Sequence, residues 1–224
     1  MRSVLCGMAV LLVCGVGTGQ GGLIANFEMP AYSRGFLEGQ AGWTAGVLEP
    51  TYGLAHVVNA DTGYTSMDPL SGSQSAYFAW GYAKKTIDAY ANPFVVSWHV
   101  MVDPDAVTAV ALGYGAANPR YAVALYGATG LVKYYTENEG YVVIPGLTVT
   151  MYEHSVFGFE VDTLHAKFRV FKMVGGSPVY SDPINMNFGT TLNSITITVW
   201  QGGAIYDEVE SHEIPDVGTV VVVR

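Results

Sequence analysis

NFEMPAYSRGFLEGQAGW, residues Asn26 to Trp43, is the stretch on which the reading of the fold turns. Its start completes a short apolar strand, Ile24 to Glu28. A loop punctuated by Gly35 and Gly39 follows, and Gly39-Gln-Ala-Gly-Trp43 leads into the next strand. The same short-strand grammar continues downstream. Phe94 to Val102 puts Phe94, Val96, Trp98, Val100 and Val102 on one face, with Ser97 and His99 on the other. Val107 to Tyr114, Tyr121 to Tyr126, Leu131 to Tyr135, Thr148 to Tyr152, Val156 to Val161 and Ala166 to Met173 read as further strands. Ser194 to Trp200 turns Ile195, Ile197 and Val199 inward and Thr196 and Thr198 outward, and Ala204 to Glu208 closes the set. No segment sustains a helical period. About a dozen short strands spaced ~8–12 residues apart predict an all-β, two-sheet antiparallel β-sandwich. The unbroken apolar run Val107 to Leu112 predicts a central strand.

Composition agrees. The 224 residues are 50% hydrophobic and only 13% charged, with 27 Gly and 15 Tyr. That charge content is about half of the ~25% usual in globular domains. Residues 1–22 read as a secretion signal: Arg2, an apolar run from Val4 to Val16, then small residues near Gly19 to Gly22. Leu11-Leu-Val-Cys14 faintly matches a lipobox, with Val13 where a small residue belongs. Both cysteines, Cys6 and Cys14, fall in the leader, so the remaining chain has neither disulfide nor thiol chemistry. The chain is expected to be secreted, periplasmic or at the cell surface, with no transmembrane anchor once the leader is removed. A formal net charge of -9 argues against nucleic acid as a partner and against anionic membrane surfaces. It suits Ca²⁺, which prefers oxygen ligands.

The stretch from Asn26 to Trp43 resembles the opening of secreted bacterial concanavalin A-like lectin/glucanase (laminin G-like) β-sandwich domains. Gly72-Ser-Gln-Ser-Ala76 is similar to their polar turn into a core strand. Phe157 to Asp162 with Ala166 to Lys172 resembles their paired central strands, and Ile205-Tyr-Asp-Glu-Val209 their closing strand. The resemblance implies a jelly roll over residues 23–213. Ile214 to Arg224 forms a short tail that faintly resembles a truncated PEP-CTERM sorting signal. Its four valines fall far short of the ~20 residues that span a bilayer, so an edge strand is the alternative.

Three constellations could carry chemistry. Glu160-Val-Asp162 resembles the catalytic strand of lichenase-type relatives, with Glu160 and Asp162 on one face by period 2. The second glutamate is missing, and His165, nearby, falls on the opposite face by alternation. Retaining hydrolysis needs two carboxyls about 5–5.5 Å apart. Glu28 and Asp207, on the first and last strands, match positions where jelly-roll relatives often hold structural calcium, with Glu208 as a helper. Tyr121, Tyr126, Tyr134, Tyr135, Tyr141 and Tyr152 cluster mid-chain and offer stacking surfaces for sugar rings. Trp43, Trp80, Trp98 and Trp200 could do the same, although Trp98 lies on an apolar strand face. The reading is a secreted, non-catalytic module that binds glycans or serves structurally at the cell surface. The alternatives are a divergent β-glucan hydrolase working through Glu160 and Asp162, and a self-assembling surface subunit.

Overall fold

The computed structural model describes residues 21–51, 53–59, 69–87, 93–113, 119–136, 138–186 and 192–214. Residues 1–20 of the expected leader and the tail from 215 onward lie outside the described residues. Fifteen strands run through the described chain: β1 (Gly21–Ala25), β2 (Gly35–Phe36), β3 (Trp43–Val47), β4 (Leu54–Val58), β5 (Ser75–Thr86), β6 (Phe94–Val102), β7 (Val107–Gly113), β8 (Pro119–Tyr126), β9 (Leu131–Thr136), β10 (Gly140–Thr148), β11 (Ser155–Asp162), β12 (Lys167–Val174), β13 (Ser177–Tyr180), β14 (Ile184–Asn185) and β15 (Ser194–Glu213). Among the described residues helix is confined to two single 3₁₀ turns, Gln40–Gly42 and Gly127–Thr129.

Two long strands join the layers. The first part of β15 lies between β7 and β5, its middle between β5 and β6, and its end between β6 and β1. β5 bends with it, pairing β4 through Ser75 to Ala79 and β3 through Gly81 to Lys85. Each strand turns its corner at a left-handed residue, Trp80 (φ 48°) in β5 and Gly202 (φ 64°) in β15. One sheet therefore runs β10-β9-β8-β7-β15-β5-β3. The other runs β13-β12-β11-β6-β15-β1, and every pairing is antiparallel. The molecule is a two-sheet antiparallel jelly roll of the concanavalin A-like kind. The two strands expected at Ser194 to Trp200 and Ala204 to Glu208 are one bent strand, because Gly202 and Gly203 make a corner rather than a turn.

The core is aromatic and crosses from sheet to sheet. Trp98 meets Phe159 at 5.5 Å between centroids, Phe159 meets Phe168 at 5.9 Å, and Phe168 meets Tyr121 of the opposite sheet at 5.2 Å. The opening stretch plugs one end of this core. Phe27 packs on Tyr32 and Trp43, the Trp43 indole N–H donates to the Tyr32 hydroxyl at 3.0 Å, and Leu37 is fully buried. β10, most of which has no strand assigned from sequence, contains Pro145 and Gly146; it tolerates them because it is an edge strand. Of the strand expected at Thr148 to Tyr152, only Thr148 is strand, the last residue of β10; the rest forms the turn after it.

Gly158, in the middle of β11, lets the Phe171 ring lie flat against backbone. A Cβ there would sit 2.3 Å from the ring and 2.6 Å from the Val96 carbonyl oxygen. Gly158→Ala is therefore expected to destabilise the protein by about 1–3 kcal/mol, measurable by urea denaturation. A loss under 0.5 kcal/mol would show that Phe171 moves aside freely.

Candidate functional site

The outward face of the first sheet is built on small residues. Ala111 of β7, Ala122 of β8 and Tyr135 of β9 form one rung with Tyr141 of β10 and Thr196 of β15. The next rung carries Ala109, Ala124, Lys133, Val143, Thr198 and Tyr82. The four alanines are buried and form a cluster of their own, apart from the main core, packed beneath Tyr126 and Tyr135. Tyr82 extends the aromatic surface in the other direction. Its ring lies over bare Gly46, where a Cβ would come within 2.8 Å of it.

Large rings close over this floor. Tyr135 and Tyr141 stand 5.0 Å apart between centroids, and Tyr141 meets Trp200 edge-on at 6.3 Å. β10 and β15 are four strand spacings apart, roughly 19 Å in a flat sheet. Rings on such strands can approach within 6.3 Å only if the sheet curls toward this side. The face is thus concave, and its alanines leave the room that the rings occupy. Tyr141 and Trp200 remain 42% and 38% exposed at its surface. Partial burial, with Tyr126 and Tyr135 alongside, pushes the Tyr141 hydroxyl up to about 12, so it stays a neutral hydrogen-bond donor at physiological pH. The Lys133 ammonium sits 4.2 Å from the centroid of the Tyr126 ring, a cation–π arrangement.

Three of the six singled-out tyrosines, Tyr126, Tyr135 and Tyr141, share this face. Tyr121 does not: it is 2% exposed, points inward and packs on Phe168, so a ligand cannot stack on it from solvent. Tyr134 also turns inward, edge-on to Phe168 at 6.4 Å, and its hydroxyl donates to Glu139. It lines a cleft of about 480 Å³ between the edge strands of the two sheets, with Glu139, Pro145, Tyr180 and Asp182. Tyr152 is exposed in the turn after β10. Trp43 and Trp98 are core. Trp200 belongs to the face, a role its shared parity with Thr196 and Thr198 already signals; the alanine floor and Lys133 carry the same period-2 signal.

Glu28 and Asp207 come together through one loop. Glu28 accepts from the Ser73 N–H (2.6 Å), the Ser73 hydroxyl (2.7 Å) and the Gln74 N–H (2.8 Å). Burial alone would raise its carboxyl, but these donors outweigh burial and hold it below the ordinary glutamate value. Asp207, fully buried, accepts on Oδ2 from the Ser71 N–H, the Ser71 hydroxyl and the Ser75 hydroxyl, and on Oδ1 from the Glu208 N–H. Burial, only partly offset by these bonds, pushes its carboxyl up to about 6. Asp207 begins a bulge in β15, where Glu208 adopts φ 43° and turns its carboxylate to His99 at 3.2 Å. The residues do not fit calcium as arranged. N–H and O–H donors point at the oxygens a cation would need, and no group of three or more His, Cys, Asp or Glu among the described residues is placed to hold a metal. Chelation with EGTA is expected to shift the melting temperature by less than about 1 °C; since a bound structural ion stabilises by mass action, a drop of several degrees would restore the calcium reading.

Glu160 and Asp162 share a strand face, as period 2 requires, but it is the outer face of the other sheet. Glu160 is ion-paired with Arg169 directly across β12. Asp162 caps the turn that follows, accepting from the Leu164 N–H (3.1 Å), the His165 N–H (3.0 Å) and the His165 ring (2.7 Å). That turn ends the alternation, so His165 folds back onto Asp162 instead of facing away. Burial opposes ionisation of Asp162, and the His165 and Leu164 donors overcome it, holding the carboxyl below its ordinary value.

No protein-family model matches the chain, and no curated protein sequence matches it. Solved structures do share its fold. A sialidase aligns with a TM-score of 0.56 at 9% identity, over 78% of this chain and 17% of its own, so the chain spans about a sixth of that enzyme's length. The exoplasmic/lumenal domain of VIP36, in a Ca²⁺/Man2-bound form, aligns with a TM-score of 0.50 at 6% identity, over 84% of this chain and 88% of its own. The carbohydrate-binding module CBM66 from Bacillus subtilis gives 0.49 at 11% identity, over 77% and 96%. The likeness is one of fold alone.

Proposed function

We propose that this chain is an extracellular, non-catalytic glycan-binding module whose binding surface is the concave face of the first sheet. One observation carries the reading. Tyr126, Tyr135, Tyr141 and Trp200 come from four different strands onto one face, over alanines small enough to let them gather. Core packing does not call for an exposed aromatic cluster on the outside of a sheet, whereas sugar rings stack on such surfaces through their apolar C–H faces. Threonine and tyrosine hydroxyls on the same rungs supply hydrogen bonds for sugar hydroxyls. The Man2-bound form of the VIP36 domain agrees with this choice of ligand class, and the fold supports it as a scaffold only. Catalysis through Glu160 and Asp162 gains nothing from the geometry, because both carboxylates are held by partners on the far side of the sandwich. A glycan array run on the parent chain and on Trp200→Ala/Tyr141→Ala tests the reading. Saccharide spots bound by the parent and lost in the variant support it; a blank array for the parent, or identical arrays, overturns it.

A further inference from the structure

We infer that the stacked imidazoles of His99 and His154 are an acid-operated latch: they hold the turn before β11 against β6 while at most one of them carries a proton, and release it when both do. Geometry carries the inference. His99, on the outer face of β6, lies between Val156 of β11 and Asp207 of β15. His154 ends the turn that joins β10 to β11. The two ring centroids are 4.7 Å apart, with the planes tilted by 52°. Two cations at that separation repel, so a first proton on the pair opposes a second. The Glu208 carboxylate meets His99 Nε2 at 3.2 Å and balances one positive charge, not two. His99 Nδ1 is shielded from solvent and has no hydrogen-bond partner among the described residues. A proton added there stays unpaired until the rings part.

The surrounding charges sharpen the response. β15 presents Asp207 and Glu208 to the pair, β11 presents Val156, and the turn itself carries Glu153, which is exposed and moves with it. The Asp207 carboxyl, pushed up to about 6, sheds its negative charge as pH falls through that value. Burial and the neighbouring His99 hold the His154 ring below the ordinary histidine value of 6.5, with Glu208 and Asp207 opposing them. A detached His154 therefore takes up a proton more readily than a docked one. Docking is favoured above that ordinary value and is lost as pH falls through the lowered value of the docked ring. The turn is ready to leave once the rings part. Its other tie to β6 is the Tyr152 N–H, which donates to the Val102 carbonyl at 2.9 Å. Tyr152 makes that bond from a left-handed conformation (φ 57°), unfavourable for a residue with a side chain.

The test is amide hydrogen exchange read by NMR between pH 7 and pH 4.5, corrected for the intrinsic rate, on the parent, His154→Phe and Glu208→Gln. In the parent the Tyr152 amide should lose roughly tenfold or more of its protection by pH 4.5, the effect of one unit of coupling, while amides inside β6 and β11 keep theirs. His154→Phe leaves a ring in the stack but no charge, so its Tyr152 amide should lose less than about twofold. Glu208→Gln removes the counter-charge and should move the release to higher pH. Unchanged Tyr152 protection in the parent overturns the inference, as does an equal loss in His154→Phe. An equal loss inside β6 and β11 also overturns it, because the whole sheet then opens rather than the turn. Release by Glu208→Gln at the parent's pH or below does the same. Should His154→Phe fail to fold, the ring protons of His99 and His154 in the parent decide: two steps, each sensed by both rings, support the latch, and independent single steps overturn it.

Discussion

Replacing Asp207 with alanine is expected to lower the stability of the protein by about 3–5 kcal/mol, since each buried donor left without a partner costs ~1–3 kcal/mol. The carboxylate is fully buried and accepts four hydrogen bonds: two from backbone N–H groups, of Ser71 and Glu208, and two from the Ser71 and Ser75 hydroxyls. The hydroxyls can rotate to other acceptors; the backbone groups cannot. The loss falls at the bulge of β15 beside β6, so the loop before β5 and the bulge at Glu208 should loosen together. The same site sets a pH dependence. Its carboxyl is raised from 3.8 to about 6, so between those values the native state holds a proton that the unfolded chain has released. The stability contributed by protonation is therefore fully present below about pH 4 and lost as pH rises through 6, a change of about 3 kcal/mol. The alanine variant lacks this component, and its deficit relative to the parent should be larger at pH 4.5 than at pH 7. Urea titrations at both pH values measure it. A deficit below 1 kcal/mol, or one that does not change with pH, would show that Asp207 is not the clasp described.

Removing the rings of Trp200 and Tyr141 together is expected to weaken saccharide binding roughly 30-fold or more, as truncation of paired aromatic hot spots costs ~2 kcal/mol or more. The two rings meet at 6.3 Å from strands four spacings apart, β10 and β15, so either alone leaves part of the surface intact. Stability should change little, because both side chains are exposed and the alanines below remain covered by Tyr126 and Tyr135. Calorimetric titration with the best array ligand, alongside thermal melts, separates the two effects. Binding lost only in step with a collapsed melting temperature would place these rings in the structure rather than in the site.

Much of this architecture was legible wherever one strand face is buried. The alternations in Phe94 to Val102 and in Ser194 to Trp200 give inward and outward faces that the structure repeats residue for residue. Legibility failed where glycine and proline serve more than one purpose. Gly202-Gly203 reads as a stop, yet it bends a continuous 20-residue strand; the segment with Pro145 and Gly146, to which no strand is assigned from sequence, is an edge strand. The tyrosines show the same division. Their enrichment was plain, but enrichment does not assign faces. Parity does: Tyr121 and Tyr126 are an odd number of residues apart, as are Tyr134 and Tyr135, so each pair splits between core and surface. The pairing of Glu28 and Asp207 through the Ser71 to Ser75 loop depends on contacts across 45 to 136 residues of chain. Sequence can suggest that two acids meet, but not that serine hydroxyls and backbone amides fill the space between them.

The most direct measurement of where ligand binds is a side-chain NMR titration with the saccharide that the parent retains. The expected result is a set of shifts confined to the Trp200 indole, the Tyr126, Tyr135 and Tyr141 rings and the Lys133 ammonium, with the Glu160, Arg169 and His165 signals of the opposite sheet unmoved. Shifts concentrated on that opposite sheet, or in the cleft lined by Tyr134 and Tyr180, with Trp200 silent, would contradict the assignment of the concave aromatic face.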